Sequence, residues 1–278
     1  MIAKEQYDRD IAEIVSMRHH NGGDLWATSD IKLNVGSPFS TLNCASLLSE
    51  LNMSSSDPIL TETADLIFSN QKDDGRFRLS PQGAIYPCHT IIAARALCHL
   101  GYADDGRLVK SFEHLLNTRH SDHGWRCKKF SFGRGPETES SNPGPTLFAL
   151  DAFRYTKYLN RERSLDGTVE FLLDHWRTRI PLGPCHYGIG TLFMQIQYPF
   201  NQYNLFYYVY VLSFYEKAKK DDRFIEAFEA LRSKLVDGKI VIERQNPKFS
   251  KLSFCKKGEP CELATLRFQE ILENIDSM

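Results

Sequence analysis

The sequence predicts an all-α protein, an α/α toroid of about five helical hairpins in a single domain over residues 1–278. Two observations predict it: apolar runs that follow regularly spaced prolines, and an amphipathic segment before each run. The prolines recur at intervals of 49 to 61 residues, at Pro38, Pro87, Pro143, Pro199 and Pro260. Proline in the first helical turn loses no hydrogen bond and presets φ, so each of these positions marks a helix start.

The apolar runs are rich in Ala, Leu, Phe and Tyr, and charges are sparse in the first four. They cover Phe39–Leu51, Cys88–Leu100, Thr146–Tyr158, Phe200–Glu216 and Cys261–Ile275. We expect these runs to be the inner helices of the ring. Each should begin within about two residues of its proline, with Pro143 or Pro145 serving the third.

A second helix type precedes each run and carries apolar residues at three- and four-residue spacing, as expected for the outside of a ring. These segments are Gln6–His19, Pro58–Asn70, Asp105–Thr118, Arg163–Arg177 and Arg223–Leu235. A hairpin repeat of this length is typical of arrays and closed toroids.

The loops between the two helix types also repeat. Three contain glycine followed by an aromatic residue, at 21–26, 71–77 and 121–125. Glycine permits a tight backbone turn, and the aromatic ring can fill the gap between repeats. A fourth copy at 183–188 is degenerate. The fifth, at 237–242, ends in Ile240-Val241-Ile242, which is compatible with a short strand.

The loop motifs resemble a known family. Gln71-Lys72-Asp73-Asp74-Gly75-Arg76-Phe77 is similar to the Gln-x-x-Asp-Gly-Gly-aromatic motif of the prenyltransferase and squalene-oxidase (squalene-hopene cyclase) repeats, and Asp122–Trp125 is similar too. The segment Gly258–Leu266 resembles the last repeat of bacterial members. The resemblance implies an α/α barrel around a funnel. It also implies transfer of isoprenoid groups from diphosphates to thiols, or cyclisation of long isoprenoids.

The chain also departs from that family. It contains neither the Asp-x-Asp-Asp proton-donor motif of the cyclases nor the Asp-Gly-Cys zinc motif of the protein prenyltransferases. It has five recognisable repeats where the family usually has six pairs.

Composition gives no support to several classes of function. The formal net charge is −1, so no overall basic field points to nucleic acid or to an anionic membrane. No stretch reaches the ~20 apolar residues that span a bilayer. The segment Met1–Arg18 carries acids and has no apolar core, unlike a signal peptide. Seven scattered cysteines without an export signal predict thiols in the cytoplasm.

A long insert before the third inner helix carries two carboxylates, Glu137 and Glu139. Paired carboxylates can act as acid and base when their environments differ, so both are candidate catalytic residues. Arg134 could bind an anion through two hydrogen bonds, and Asn142 is a candidate substrate-binding residue. The alternative is structural, in which the acids offset the helix dipole and Asn142 caps the helix.

Soft ligands fall in three loops that lead to inner helices: Cys127, Cys185, His186 and Cys255. Three thiols and an imidazole suit tetrahedral zinc, which is the cofactor that this set would take. Without a Cys-x-x-Cys pair, buried structural cysteines are the alternative. Cys88 and His89 offer a further pair at another inner-helix start, and His89 is also a candidate for substrate binding.

The fourth inner run is unusually aromatic. Tyr198 and Phe200 could form part of a wall that binds an apolar substrate, since aromatic faces stabilise cations by ~0.5–2 kcal/mol each. Tyr203 and Asn204, at the start of the run, are candidate catalytic residues facing a cavity that Glu137 and Glu139 share. Packing between repeats is the alternative for most of these rings.

The leading function is therefore a prenyltransferase- or terpenoid-cyclase-like protein acting on an isoprenoid or other apolar small molecule in a central cavity. One alternative is a non-catalytic toroid that binds a lipid or a protein partner. Another is a carbohydrate-active toroid that uses Glu137 and Glu139, for which carboxylates ~5–9 Å apart would be required.

Overall fold

The computed structural model describes residues 7–156 and 163–277. Within those ranges the protein forms eleven α-helices and no β-strand, so the prediction of an all-helical protein is confirmed. The strand considered at 240–242 does not form. An isolated bridge between Val241 and Pro260 takes its place.

Five helices form where the sequence predicts amphipathic segments. They are α1 (Asp8–Ser16), α3 (Pro58–Phe68), α5 (Gly106–Asn117), α7 (Asp166–Thr178) and α10 (Asp222–Arg232). Each overlaps its predicted segment. In α5, for example, Leu108, Phe112 and Leu115 are buried at the predicted three- and four-residue spacing.

The other five long helices form where the sequence predicts apolar runs. They are α2 (Thr41–Glu50), α4 (Pro87–His99), α6 (Pro143–Phe153), α8 (Leu205–Leu212) and α11 (Glu262–Asp276). All eight residues of α8 are buried, as its apolar composition predicts. A short extra helix, α9 (Glu216–Lys219), follows α8.

Proline predicted the starts of three apolar helices. Pro87 and Pro143 are the first residues of α4 and α6, and α11 begins two residues after Pro260. The other two predicted starts were wrong, because Pro38 precedes α2 by three residues and Pro199 precedes α8 by six. For α8 the start is set by Asn204, whose side chain accepts a hydrogen bond from the Tyr207 N–H.

The chain divides into two compact units. The first contains residues 1–117 and 250–253, with helices α1 to α5. In it, consecutive helices pack against one another and α2 packs against α4. The second contains residues 118–249 and 254–278. In it, α6 packs against α7 and α8, while α8 also packs against α10 and α11.

One hydrogen bond recurs at three places where a loop leads into an apolar helix. The backbone N–H of an apolar loop residue donates to a threonine Oγ1 at the fourth position of the next apolar helix. The pairs are Phe77 with Thr90 (3.1 Å), Trp125 with Thr146 (3.2 Å) and Ile240 with Thr265 (3.0 Å). Each loop residue is fully buried, so the bond satisfies an N–H that water cannot reach.

Glycine is required in the loop that contains Phe77. Gly75 has φ of +83°, and a Cβ there would lie 2.5 Å from the backbone of Lys110 in α5. This loop and α5 therefore meet backbone to backbone, which only glycine allows.

None of the helices in the described ranges is long and apolar enough to cross a membrane.

Candidate functional site

The carboxylate of Glu137 turns back on its own loop. Its Oε1 accepts hydrogen bonds from the backbone N–H groups of Arg134 (3.2 Å) and Gly135 (3.1 Å). These donors lower the pKa of Glu137, with the Gly135 N–H as the largest cause. Arg134 itself is exposed to solvent. This placement gives Glu137 a contact within its own loop, which differs from the helix-dipole contact of the alternative interpretation.

Glu139 lies on the surface. Three quarters of its side chain is exposed, and it forms an ion pair with Arg126 at 3.0 Å. Exposed ion pairs of this kind contribute little stability because water screens them. The two predicted catalytic carboxylates thus have different partners, one in the loop backbone and one at the surface.

Asn142 is fully buried and joins two loops to the start of α6. Its Nδ2 donates to the Cys127 carbonyl at 2.9 Å, and its Oδ1 accepts from the Cys185 N–H at 2.9 Å. Every side-chain atom that could recognise a substrate is therefore engaged with the backbone. Asn142 does not cap α6 through its side chain.

The four predicted zinc ligands do not come together. His186 is exposed and lies 3.8 Å from the Glu137 carboxylate, while the Cys255 sulfur is buried 4.0 Å from the Gln245 amide. Burial, and then the neighbouring Cys127, raise the pKa of the Cys185 thiol. In the described ranges no group of three or more His, Cys, Asp or Glu side chains is placed to hold a metal ion.

Tyr198 and Phe200 lie in the core of the second unit. Phe200 stacks against Tyr207 and Tyr210, with ring centroids 4.9 and 4.8 Å apart, and Tyr198 packs edge-on against Phe200. Asn204 is buried and caps α8. Tyr198 and Phe200 therefore have packing contacts, which was the alternative interpretation of the aromatic run, whereas the cap that Asn204 provides was not predicted.

His89 lies in the first unit, near the start of α4. Its ring is buried and packs edge-on against Tyr86, with centroids 5.3 Å apart.

Tyr203 is half-buried, and its hydroxyl lies 2.8 Å from Nδ1 of His175 in α7. The other ring nitrogen, Nε2, lies 3.0 Å from the Ile180 carbonyl. A carbonyl can only accept, so Nε2 carries the proton, and in the neutral ring Nδ1 accepts from the tyrosine hydroxyl. The Ile180 carbonyl thus fixes the His175 ring, and the ring in turn fixes the Tyr203 hydroxyl.

Burial keeps this pair uncharged. It lowers the pKa of His175 from 6.5 to about 4, although the Ile180 and Tyr187 carbonyls oppose the shift. Burial also raises the pKa of Tyr203 well above 10. Both side chains are therefore neutral near pH 7, and Tyr203 presents an aromatic ring with no formal charge.

Two more aromatic rings extend the surface around Tyr203. Phe193 lies 4.9 Å away and Tyr187 packs edge-on at 5.7 Å, measured between ring centroids. Tyr187 is half-buried and covers Gly144 at the start of α6, where a Cβ would lie 2.5 Å from its ring. We call Tyr187, Phe193 and Tyr203 the aromatic face.

One hairpin connects the aromatic face with the predicted carboxylates. Leu182 and Tyr187 form its bridge, and the Gly183 N–H donates to the Glu137 carbonyl at 2.9 Å. His186 of the hairpin lies beside Glu137, and Tyr187 lies against Tyr203. Glu137 and Tyr203 therefore lie near the same hairpin, as their sequence positions predicted. They contact different residues of it: Glu137 lies beside His186, and Tyr203 lies against Tyr187.

A buried polar network lies on the neighbouring helices and was not predicted. The Asp151 carboxylate accepts from Arg154 Nε (2.5 Å) and from the Tyr207 hydroxyl (2.6 Å). Arg154 also donates to the Tyr155 hydroxyl at 2.7 Å. Two opposite charges in the otherwise apolar run of α6 were the available signal. Paired and hydrogen-bonded in this way, they satisfy the requirement for buried charges.

No family model matches the chain, and a comparison with curated proteins finds no matching entry.

Proposed function

We propose that this chain is a prenyltransferase- or terpenoid-cyclase-like protein that binds an isoprenoid or another apolar ligand at the aromatic face. The observation that carries the proposal is a half-buried tyrosine, Tyr203, whose polar atom is already engaged by a neutral His175. What remains for a ligand is ring surface from Tyr203 and Tyr187, over a floor of buried Phe193.

The electrostatics of the aromatic face favour an apolar ligand. A carboxylate or cation beside an apolar ligand would cost desolvation energy. Here the nearest titratable partner of Tyr203 is kept uncharged by burial. Aromatic faces also stabilise a positive charge that develops on a bound isoprenoid, by about 0.5–2 kcal/mol each.

We also propose that the five hairpins close into the toroid predicted from the sequence. The repeated threonine hydrogen bond supports a common hairpin geometry at three positions. A segment of the fifth repeat, Ser250–Ser253, belongs to the same compact unit as α1. This is the arrangement expected if the last repeat returns to the first.

The engaged carboxylates disfavour the carbohydrate-active alternative. Glycoside hydrolysis needs one carboxyl group free to donate a proton and another to act as base or nucleophile. Glu137 is held as an acceptor by two backbone N–H groups, and its pKa is lowered rather than raised.

Binding can be tested with farnesol and farnesyl diphosphate. Trp176 stacks on Tyr208 and lies 6.3 Å from Phe193, so ligand at the aromatic face should change tryptophan emission. We expect Tyr203→Ala to weaken farnesol binding by about tenfold or more, which corresponds to ~1.4 kcal/mol. Tyr203→Phe keeps the ring and should retain most of the affinity.

A matched control is Tyr102→Ala in the first unit. Tyr102 is also half-buried and packs edge-on against an aromatic ring, that of Phe68 at 5.6 Å. The proposal fails if farnesol does not bind, or if Tyr102→Ala weakens binding as much as Tyr203→Ala. Release of diphosphate from farnesyl diphosphate would separate an enzyme from a binding protein.

A further inference from the structure

A loop in the second unit exposes two phenylalanines among basic residues. Residues 128–134 read Lys-Lys-Phe-Ser-Phe-Gly-Arg, and we call this segment the basic–aromatic loop. The exposed fractions of Phe130 and Phe132 are 53% and 68%. Lys128, Lys129 and Arg134 are exposed as well, and the segment contains no acidic residue.

Backbone hydrogen bonds fix this loop at both ends. The Cys127 carbonyl before it accepts from the buried Asn142 side chain at 2.9 Å. Within it, the Phe132 N–H donates to the Pro184 carbonyl at 2.7 Å. The Arg134 N–H donates to Glu137. The backbone that carries the two rings is therefore held by hydrogen bonds, and the rings are exposed although their backbone is fixed.

The two rings form one unit. Phe130 and Phe132 stack with centroids 5.8 Å apart and an interplanar angle of 25°. The Lys129 ammonium lies 5.3 Å from the Phe130 centroid. A positive charge and an aromatic stack thus occupy the same exposed tip, which is the composition that binds at the boundary of an anionic bilayer.

We propose that the basic–aromatic loop docks the protein on an anionic membrane surface. The stacked phenylalanines insert at the level of the lipid headgroups, and Lys128, Lys129 and Arg134 contact lipid phosphates and carboxylates. The lysine stems can lie along the apolar boundary while their charged ends stay in water. The inference is independent of the aromatic face, since a chain that binds no isoprenoid could still dock in this way.

Geometry favours a membrane over a nucleic acid. Proteins that bind single-stranded nucleic acid offer open aromatic faces on which the bases stack. In this loop Phe130 is already stacked on Phe132, and the Lys129 ammonium is within cation–π distance of the same ring. A strand of bases would have few ring faces to use, whereas insertion into lipid uses the edges and the whole stacked pair.

Size favours a membrane over a folded protein partner. An aromatic side chain buries ~150–250 Å² at most, so two partly exposed rings offer well under the ~800 Å² per partner of a stable interface. Membrane docking needs less area, because anionic lipids add attraction for each basic residue.

Vesicle co-sedimentation tests the proposal with the full chain. We expect binding to phosphatidylcholine vesicles that contain phosphatidylserine, little binding to phosphatidylcholine alone, and weakening at high salt. Phe130→Ala with Phe132→Ala should lower the vesicle affinity at least about tenfold, and Lys128→Gln with Lys129→Gln should lower it for the anionic vesicles.

Matched controls exist in the same unit. Ile225 and Leu266 are exposed apolar residues, at 45% and 40%, and Lys256 and Lys257 are an exposed basic pair. Their Ala and Gln double variants should bind vesicles as the unmodified protein does. Circular dichroism of every variant shows whether folding is retained.

A direct readout is Phe132→Trp. The three native tryptophans are buried, so a blue shift of emission on adding anionic vesicles would report insertion at position 132. The proposal is overturned if the unmodified protein ignores anionic vesicles, or if the control variants lose binding as the loop variants do. Loop-dependent binding to a single-stranded oligonucleotide, without vesicle binding, would also overturn it and assign the loop to nucleic acid.

Discussion

His175 places a neutral imidazole inside the second unit. Both ring nitrogens are engaged, one by the Ile180 carbonyl and the other by the Tyr203 hydroxyl. A second proton, on Nδ1, would require the tyrosine hydroxyl to turn from donor to acceptor, beside an imidazole ring that is fully buried. Burial disfavours the charged imidazolium, and this lowers the pKa of His175 from 6.5 to about 4.

Stability should therefore fall as pH falls through this window. Between pH 6.5 and about 4 the unfolded chain binds a proton on His175 that the folded chain does not, so acid favours unfolding. The contribution should reach about 3 kcal/mol at low pH, since each pKa unit corresponds to ~1.4 kcal/mol. Urea unfolding of the unmodified and His175→Gln proteins at several pH values measures it.

Carboxylates also titrate in this range, so the difference between the two proteins is the informative quantity. His186→Gln is the matched control, because His186 is exposed. We expect His186→Gln to keep the pH dependence of the unmodified protein, and His175→Gln to reduce it. Equal pH dependence in all three proteins would refute a buried neutral imidazole.

The sequence predicted the chain positions of Glu137 and Tyr203 better than it predicted their contacts. Spacing correctly put Glu137 and Tyr203 near the starts of two apolar helices. It could not predict that Glu137 bonds to its own loop, because the local backbone conformation decides which N–H groups face the carboxylate. His175 was missed, although a signal existed: it follows Leu172 by three residues, on the apolar face of α7.

At the level of elements, the threonine hydrogen bond ties each loop to the helix that follows it. The Trp125 N–H is buried and donates to Thr146 Oγ1 at 3.2 Å. The same threonine lies close to Gly124, where a Cβ would be 2.8 Å from its Oγ1. Loop and helix are thus fitted to one another at a single side chain.

Replacing this acceptor should destabilise the second unit. Thr146→Val has nearly the same shape but leaves the buried Trp125 N–H without its acceptor, which costs about 1–3 kcal/mol. Thr146→Ser keeps the oxygen and should cost less. Thr178→Val, at the exposed end of α7, is the control and should be nearly neutral. Urea unfolding followed by tryptophan fluorescence compares them, and equal stability of Thr146→Val and Thr178→Val would contradict the role of this bond.

Element positions were predictable because apolar periodicity reports which face of a helix is buried. The five amphipathic and five apolar helices overlap the segments predicted from that pattern, and α4 and α6 begin at Pro87 and Pro143. Pro199 misled, since proline is equally suited to an extended segment before a helix. The start of α8 depends instead on the Asn204 cap, a signal carried by one side chain.

At the scale of the whole chain, a contact joins residues that are 243 positions apart. The Asp10 carboxylate in α1 is buried and accepts from the backbone N–H of Ser253 at 2.8 Å and from its hydroxyl at 2.7 Å. Glu13, one turn later, pairs with Lys251 at 3.0 Å. Both contacts lie within the first unit. The sequence pattern predicted a closed ring, but it did not predict which residues of the first and last repeats would be in contact.

Asp10 should therefore matter to both ends of the chain. Asp10→Ala removes a charged acceptor from two donors of Ser253, at an expected cost of about 1.5–3 kcal/mol. Asp8→Ala, on the exposed side of the same helix, should cost little and serves as the control. Ser253→Ala removes only the hydroxyl, so it should cost less than Asp10→Ala and should add little once Asp10 is gone.

Hydrogen exchange tests whether the Asp10–Ser253 contact is a closing contact, which joins the first and last repeats of the proposed toroid, or only supports α1 locally. A closing contact couples the two segments, so Asp10→Ala should speed exchange in α1 and at residues 250–253 together. A local role would loosen α1 alone. If exchange at residues 250–253 is unchanged in Asp10→Ala, these residues are held by other contacts, and the support that this contact gives to a closed toroid is lost.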